Sequence, residues 1–135
     1  MKFALKIIDA FCSIREKYYR PDFIIGYRLS SEEPYDDGIT MTETLELIKA
    51  LLLKPIQYIH ISQKNFFQNV RSGEGAGIER LKVIHNLTKG NVALIGVGGL
   101  KTEKDIYSAI NTGFCEFIGI GKGIVLNKGF GTLLK

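Results

Sequence analysis

An α/β fold with a parallel sheet is predicted by two alternating hydrophobic periods along this chain of 135 residues. Apolar residues at helical spacing and short runs of β-branched and aromatic residues follow each other in the order α-β-α-β-α-β-α-β. The strands are predicted to begin near residues 23, 57, 92 and 117, at intervals of 34, 35 and 25 residues. Such intervals fit strand–helix units, so successive strands are expected to lie parallel and to be joined by right-handed crossovers.

The four predicted strands are apolar runs bounded by glycine, proline or serine. They are Phe23–Leu29, Ile56–Ile61, Val92–Val97 and Phe117–Ile120. Turn residues at their ends favour short strands over helices of the same composition. No linker or low-complexity segment interrupts the pattern, so residues 1–135 are predicted to form one domain.

Four helices are predicted before and between these strands: Phe3–Tyr18, Thr42–Leu53, Gly77–Leu87 and Thr102–Thr112. In the first helix, apolar residues recur three and four positions apart, at Phe3, Ile7, Phe11 and Ile14. The second has Thr40 or Thr42 as its N-cap, and the fourth has Thr102 and Asp105 at the spacing of a capping box.

Two architectures accommodate this order: a small open doubly wound sheet, or half of a (β/α)₈ barrel, whose full length is about 250 residues. Alternation along the strands separates them. The residues assigned to the helix side are Ile25, Tyr27, Ile59, Ile61, Ile95, Val97, Ile118 and Ile120. The other face then carries Gly26, Arg28, Tyr58, His60, Ser62, Gly96, Gly98, Gly119 and Gly121. That face is a poor packing surface for helices, so a four-stranded half-barrel with an interior opened for a ligand is predicted. Glycine that merely permits close packing is the alternative.

Charge and cysteine content exclude several classes of protein. The net charge of +4 suits an anionic ligand, but the basic residues are scattered and do not predict a nucleic-acid surface. Cys12 and Cys115 lie far apart and there are two histidines, so neither a disulfide framework nor a zinc site is predicted. No apolar run approaches the ~18 residues of a membrane span. A soluble, cytoplasmic protein with reduced thiols and a small-molecule ligand is expected.

Two glycine turns are the strongest local signal for a ligand. Gly98-Gly99 and Gly121-Lys122 each stand at the carboxyl end of a predicted strand. Glycine lets the backbone approach an anion closely, and Lys122 adds a positive charge. In barrels, the loops after the last two strands frequently bind phosphate. An ordinary strand-to-helix turn also favours glycine, but two such turns with a lysine favour an anion site.

Arg28 lies near the end of the first strand, on its predicted inward side. A buried cation is costly unless it meets an anion or a carbonyl group, so Arg28 is a candidate for ligand binding. An ion pair with Glu32, Glu33 or Asp36 is the equally weighted alternative.

The second strand contributes further candidates. Ser62 is similarly placed at its end, whereas His60 is predicted to be a hydrogen-bonded interior histidine. The long loop Gln63–Gly77 either covers a ligand or is a solvated excursion.

Five segments match a known family in order and spacing. They are Tyr27–Ser30, Asp36–Leu52, Ile56–Ser62, Ala93–Gly113 and Phe117–Asn127. They resemble the carboxyl-terminal half of the old yellow enzyme family, FMN-containing NAD(P)H:flavin oxidoreductases and ene-reductases on a (β/α)₈ barrel. The resemblance implies hydride transfer from NADH or NADPH to flavin, and then to an activated alkene or another acceptor.

The resemblance also implies roles for individual residues. Arg28 matches the arginine against the pyrimidine edge of the flavin. Gly98 and Gly99 match the first phosphate-binding turn, and Gly121 and Lys122 match the second. The family normally has Gly-Arg in that second turn, so this chain keeps the charge and loses the bidentate fork.

Other departures concern the ends of the pattern. Asn127-Lys128 replaces the family's usual acidic residue and proline. The four amino-terminal units, which hold the family's substrate-binding pair and catalytic tyrosine, have no counterpart in these 135 residues. A fragment of an FMN-dependent oxidoreductase that lacks the catalytic residues is therefore expected. The alternative is a non-catalytic half-barrel that binds phosphate ligands. Its unpaired edges predict a homo-oligomer or pairing with the missing half.

Overall fold

The computed structural model of the chain describes residues 2–126 and 129–134, without the side chains of 133 and 134. Asn127 and Lys128, where the sequence departs from the family pattern, lie outside the described residues. The elements are α1 (Lys2–Lys17), β1 (Gly26–Ser30), α2 (Met41–Leu52), β2 (Tyr58–Ser62), α3 (Arg80–Thr88), β3 (Ala93–Val97), α4 (Glu103–Asn111), β4 (Phe117–Gly119), α5 (Lys122–Leu126) and a 3₁₀ helix (Phe130–Leu134). Among the described residues, no helix combines the length and apolar composition that a membrane span requires.

The sheet has the order β1-β2-β3-β4, with every neighbouring pair parallel. One row across it joins Arg28, His60, Ile95 and Phe117. Strands that follow each other in space as they do in sequence, with helices between them, confirm the predicted (βα)n half-barrel pattern. A doubly wound sheet would instead reverse its strand order and carry helices on both faces.

The core lies between the sheet and its helices. Its strand residues include Ile59, Ile61 and Leu94, which are fully buried. Its helix residues include Leu45, Ile48, Leu81, Ile84 and Ile106, each at most 3% exposed. The opposite face of the sheet is half-buried or exposed in every strand. One face is therefore packed and the other is open.

Local capping explains why two of the helices begin where they do. The backbone N–H of Thr40 donates to the Glu43 carboxylate at 2.8 Å, and α2 follows. Thr102 and Asp105 form the predicted capping box of α4, with distances of 2.9 and 3.1 Å. Reciprocal hydrogen bonds of this kind satisfy amides that have no partner inside the helix.

The third helix begins later than predicted, at Arg80 instead of Gly77. Gly73, Gly75 and Gly77 all have positive φ, between 82° and 86°. This left-handed conformation cannot continue a right-handed helix, so the chain stays in turns up to Glu79.

The predicted orientation of the third strand is wrong. Ile95 and Val97 lie on the open face, whereas Leu94 and Gly96 are buried on the helix side. A Cβ added to Gly96 would lie 2.6 Å from the Cys115 Sγ atom. Gly96 therefore lies on the crowded helix side of the sheet, where a side chain would not fit. The branched side chains of Ile95 and Val97 lie on the open face.

Candidate functional site

A cavity of about 790 Å³ lies at the carboxyl edge of the sheet. Small-molecule sites commonly have volumes of about 300–1,000 Å³. All five residues predicted to bind the cofactor line this one cavity: Arg28, Gly98, Gly99, Gly121 and Lys122. The parallel topology brings them together because it places every strand's carboxyl end at the same edge.

Arg28 extends from β1 toward its neighbour β2. Its Nη2 atom donates a hydrogen bond to the Ser62 hydroxyl oxygen at 2.7 Å. Among the described residues, Arg28 forms no ion pair with Glu32, Glu33 or Asp36. Glu32 instead pairs with Arg80 at 2.7 Å. A guanidinium has five donors, so Arg28 keeps several for a ligand in the cavity.

The Gly98–Gly99 turn has two reasons to contain glycine. Both residues have positive φ, 138° and 67°. A Cβ at Gly98 would lie 2.6 Å from the backbone nitrogen of Phe66, and this same nitrogen donates to the Gly98 carbonyl at 2.9 Å. The loop after β2 thus packs directly on the turn, which makes Gly98 necessary to the fold whether or not a ligand binds.

Gly121 differs from Gly98 in its surroundings. A Cβ at this position would have nothing within 4 Å, and its φ is not positive. Packing therefore does not explain glycine here, whereas room for a ligand would. Lys122, the next residue, is exposed and lines the cavity.

The cavity is strongly cationic. Arg28, Lys64, Lys101 and Lys122 line it, and none of the residues described as lining it is acidic. Sequence analysis missed Lys64 and Lys101, although each follows a predicted strand within a few residues. Like charges around one cavity repel one another, and an anion placed among them relieves that repulsion. The cavity therefore favours a ligand that carries negative charge.

His60 lies on the interior side of the sheet, as predicted, but the hydrogen bond predicted for its side chain is missing among the described residues. Its Nε2 atom is buried in the cavity wall and has no hydrogen-bond partner among the described residues. Burial, followed by the charge of Arg28, lowers the pKa of His60 below its ordinary value. A neutral imidazole at neutral pH can give one hydrogen bond to a ligand.

Gln63 provides a second unsatisfied atom in the same wall. Its Nε2 atom donates to the Phe66 carbonyl at 2.9 Å, which leaves the amide oxygen buried without a partner in the described part of the chain. Since buried polar atoms are normally hydrogen-bonded, these two side chains leave hydrogen-bonding positions in the cavity wall open to a ligand or to water.

The long loop after β2 is anchored to the core by two buried side chains, although most of its residues are exposed. Phe66 and Val70 are buried within it. Its middle is held by Glu32, whose carboxylate accepts the backbone N–H groups of Arg71 and Ser72 at 3.0 Å each. The loop thus supports Lys64 and the Gly98 turn from one side.

The two cysteines are free thiols outside this cavity. Cys12 belongs to the buried side of α1. Burial, followed by the Glu116 charge, raises the pKa of Cys115 to about 12. A protonated thiol is a poor nucleophile, so Cys115 is not a candidate nucleophile.

Comparison with known proteins gives three informative relatives, while no protein-family model matches the chain. "Probable NADH-dependent flavin oxidoreductase YqiG" of Bacillus subtilis is 30% identical over all of this chain and 36% of its own length. NADH:acrylate oxidoreductase of Vibrio harveyi is 28% identical over 92% of this chain and 12% of its own length. NADH:fumarate oxidoreductase of Klebsiella pneumoniae is 27% identical over 92% of this chain and 14% of its own length.

Fold and cavity together define a class: a parallel (βα)n half-barrel with a cationic site at its carboxyl edge. Within that class, the chain is similar over 92–100% of its length to a protein named as a probable NADH-dependent flavin oxidoreductase and to proteins named as NADH:acrylate and NADH:fumarate oxidoreductases. This similarity confirms the recognition made from the motifs. The chain spans about a third or less of the length of these relatives.

Proposed function

We propose that this chain binds the phosphate and the pyrimidine edge of FMN and forms part of an NADH-dependent flavin oxidoreductase. One observation carries the proposal: the five residues that match the family's flavin contacts line a single cavity with four cations and no acidic residue. A dianionic phosphate would offset the repulsion between these cations.

The residues present fit an FMN molecule. The open space at Gly121 and the positive φ of Gly99 allow backbone to approach a phosphate, with Lys122 beside it. Arg28, held by Ser62, would balance negative charge at the pyrimidine edge. The unsatisfied atom of His60 offers a further hydrogen bond to a polar ring. When bound, FMN supplies the hydride chemistry, while the protein supplies orientation and electrostatics.

The relatives' names suggest the reaction partners. All three name NADH, and two name acrylate and fumarate, which are alkenes that bear carboxylate groups. NADH as reductant and an activated alkene as acceptor are accordingly proposed for the protein in which this chain works.

A non-catalytic module that binds phosphate ligands is the second candidate. The cavity lining described includes no tyrosine, aspartate, glutamate or cysteine, so the wall offers few groups that could deliver a proton. FMN-dependent oxidation of NADH by the purified chain would favour the enzyme. Binding of FMN without that oxidation, even after the four amino-terminal strand–helix units of a related oxidoreductase are added, would favour the module.

Lys122→Gln is expected to weaken FMN binding by about 1–3 kcal/mol, because a charge-assisted hydrogen bond to the phosphate is lost. Binding of riboflavin, which has no phosphate, should hardly change. Thermal-shift titrations with FMN, riboflavin and inorganic phosphate measure both effects; a hundredfold excess over Kd should stabilise the wild type by roughly 2.7 kcal/mol. Lys104→Gln, on exposed α4 surface outside the cavity, is the matched control. Unchanged melting of the wild type with every ligand would refute the phosphate site.

Arg28→Gln is expected to weaken FMN and riboflavin to the same extent, because its proposed partner is the ring edge that both molecules share. The same titrations test this. A loss for FMN alone would mean that Arg28 contacts the phosphate, and would contradict its assignment to the ring.

A further inference from the structure

Two of the four cations that line the cavity, Lys64 and Lys101, match none of the proposed flavin contacts. Lys64 follows β2, and Lys101 comes shortly before α4. Within the described residues, neither lysine forms an ion pair. Because the four cations share one cavity, a negatively charged group of a ligand would be attracted by all of them.

The backbone of Lys64 lies directly against the Gly98–Gly99 turn. A Cβ added to Gly99 would lie 3.1 Å from the Lys64 carbonyl oxygen. The Gln63 side-chain amide donates to the Phe66 carbonyl at 2.9 Å, and the Phe66 N–H donates to the Gly98 carbonyl at 2.9 Å. Lys64 is therefore anchored beside the turn, and its exposed side chain can extend toward a ligand there.

Lys101 follows the same turn, two residues after Gly99. Its backbone N–H donates to the Asp105 carboxylate at 3.0 Å, and the preceding Leu100 is 6% exposed. Backbone hydrogen bonds from Lys101 and Thr102, followed by weaker contributions that include the Lys101 charge, lower the pKa of Asp105. Asp105 is not among the described residues that line the cavity, whereas Lys101 is. A ligand in the cavity therefore meets the lysine.

The turn between the two lysines has backbone donors to spare. Within the described part of the chain, the N–H groups of Gly99 and Leu100 donate no hydrogen bond. Gly99 has a left-handed φ of 67°. Successive N–H groups in a turn that contains a left-handed residue commonly form a concave site for an anion. Unused amides flanked by two lysines on a fixed backbone suit the oxygens of a phosphate.

We propose that Lys64 and Lys101 bind the phosphate of the flavin cofactor together with Lys122. This inference rests on the proposed function, since it takes the phosphate to lie between the two glycine turns. Lys64 and Lys101 belong to the side of the Gly98–Gly99 turn, and Lys122 to the side of Gly121. Each lysine acts as a point charge without a fixed fork, so the positive charge around the phosphate is divided among three loops.

Lys64→Gln and Lys101→Gln test the two added contacts. Each should raise the Kd for FMN about 3- to 10-fold, the effect of one exposed charged contact, and should hardly change the Kd for riboflavin. The double variant should lose about 10- to 100-fold. Lys64→Arg and Lys101→Arg, which keep the charge, should bind FMN nearly as the wild type does. Lys104→Gln, on α4 and outside the cavity, is the matched control.

Melting of the ligand-free variants separates binding from folding. Replacing either lysine by glutamine should leave the melting temperature unchanged or raise it, because one of several like charges is removed. Added salt should reduce the difference in FMN affinity between the wild type and the double variant, since it screens exposed charges. A lysine that merely supports the fold would lower the melting temperature and weaken both flavins.

Three results would each overturn the inference: a lower melting temperature without ligand, equal losses for FMN and riboflavin, or FMN affinities that match the Lys104→Gln control. If that last result came with a selective loss of FMN in Lys122→Gln, the proposed function would stand while this inference fails. A wild type that binds FMN no more tightly than riboflavin would refute the proposed phosphate site, and this inference with it.

Discussion

Glu32→Ala is expected to lower the free energy of unfolding by about 3–5 kcal/mol, one of the largest effects of a single substitution in this chain. The side chains of Glu32 and Arg80 are 1% and 8% exposed, and their charged groups are 2.7 Å apart. Alanine would leave the Arg80 guanidinium buried without its carboxylate, and two backbone amides of the loop would lose their acceptor. Burial already lowers the pKa of Arg80, which shows the cost of enclosing this cation.

Urea denaturation followed by circular dichroism measures the loss. Glu33→Ala is the matched control, because Glu33 is the neighbouring carboxylate and is exposed. We expect the Glu32 variant to bind FMN more weakly as well, since the loop it holds carries Lys64 and contacts Gly98. A loss of stability no greater than that of the Glu33 control would contradict the stabilising role assigned to the buried Glu32–Arg80 pair.

Gly98→Ala is the second substitution with a large expected effect, roughly 2–4 kcal/mol of stability. The new Cβ would lie 2.6 Å from backbone atoms of Asn65 and Phe66, which cannot rotate away as a side chain would. The φ of 138° adds strain for any residue with a side chain. Phe66, 1% exposed, would have to shift with the loop.

Gly121→Ala separates folding from ligand binding. Its Cβ would meet nothing within 4 Å, so stability should change by no more than about 0.5 kcal/mol. FMN binding should still weaken, because the methyl group would occupy the space proposed for the phosphate. Chemical denaturation and FMN titration of both glycine variants provide the comparison. Equal stability of the two variants would refute the structural role of Gly98.

Local features of the chain were predictable because neighbouring residues decide them. The capping box of Thr102 and Asp105 and the turn at Gly113 mark α4 without reference to the rest of the molecule. The strand signals are likewise short-range patterns of apolar and turn residues. Where local signals conflict, as at Gly73–Gly77, the prediction placed a helix start three residues too early.

The location of the candidate site followed from topology. Once the strands are parallel, residues after each strand meet at one edge, which is why Arg28, Gly99 and Lys122 could be grouped in advance. The role of each residue in folding or in ligand binding could not be predicted from the sequence. Gly98 and Gly121 look alike as turn residues, yet only Gly98 is pressed against another loop.

Order of elements, direction of strands and the edge that carries the polar chemistry thus follow from the residues alone, because periodicity and capping act over a few positions. Tertiary structure decided which face of β3 is open, that Glu32 pairs with Arg80, and that α1 buries Ile8 and Cys12 while its stripe of Phe3, Ile7, Phe11 and Ile14 stays exposed. These outcomes depend on contacts between residues far apart in sequence, whose geometry exists only after the strands have paired and the helices have packed on one side.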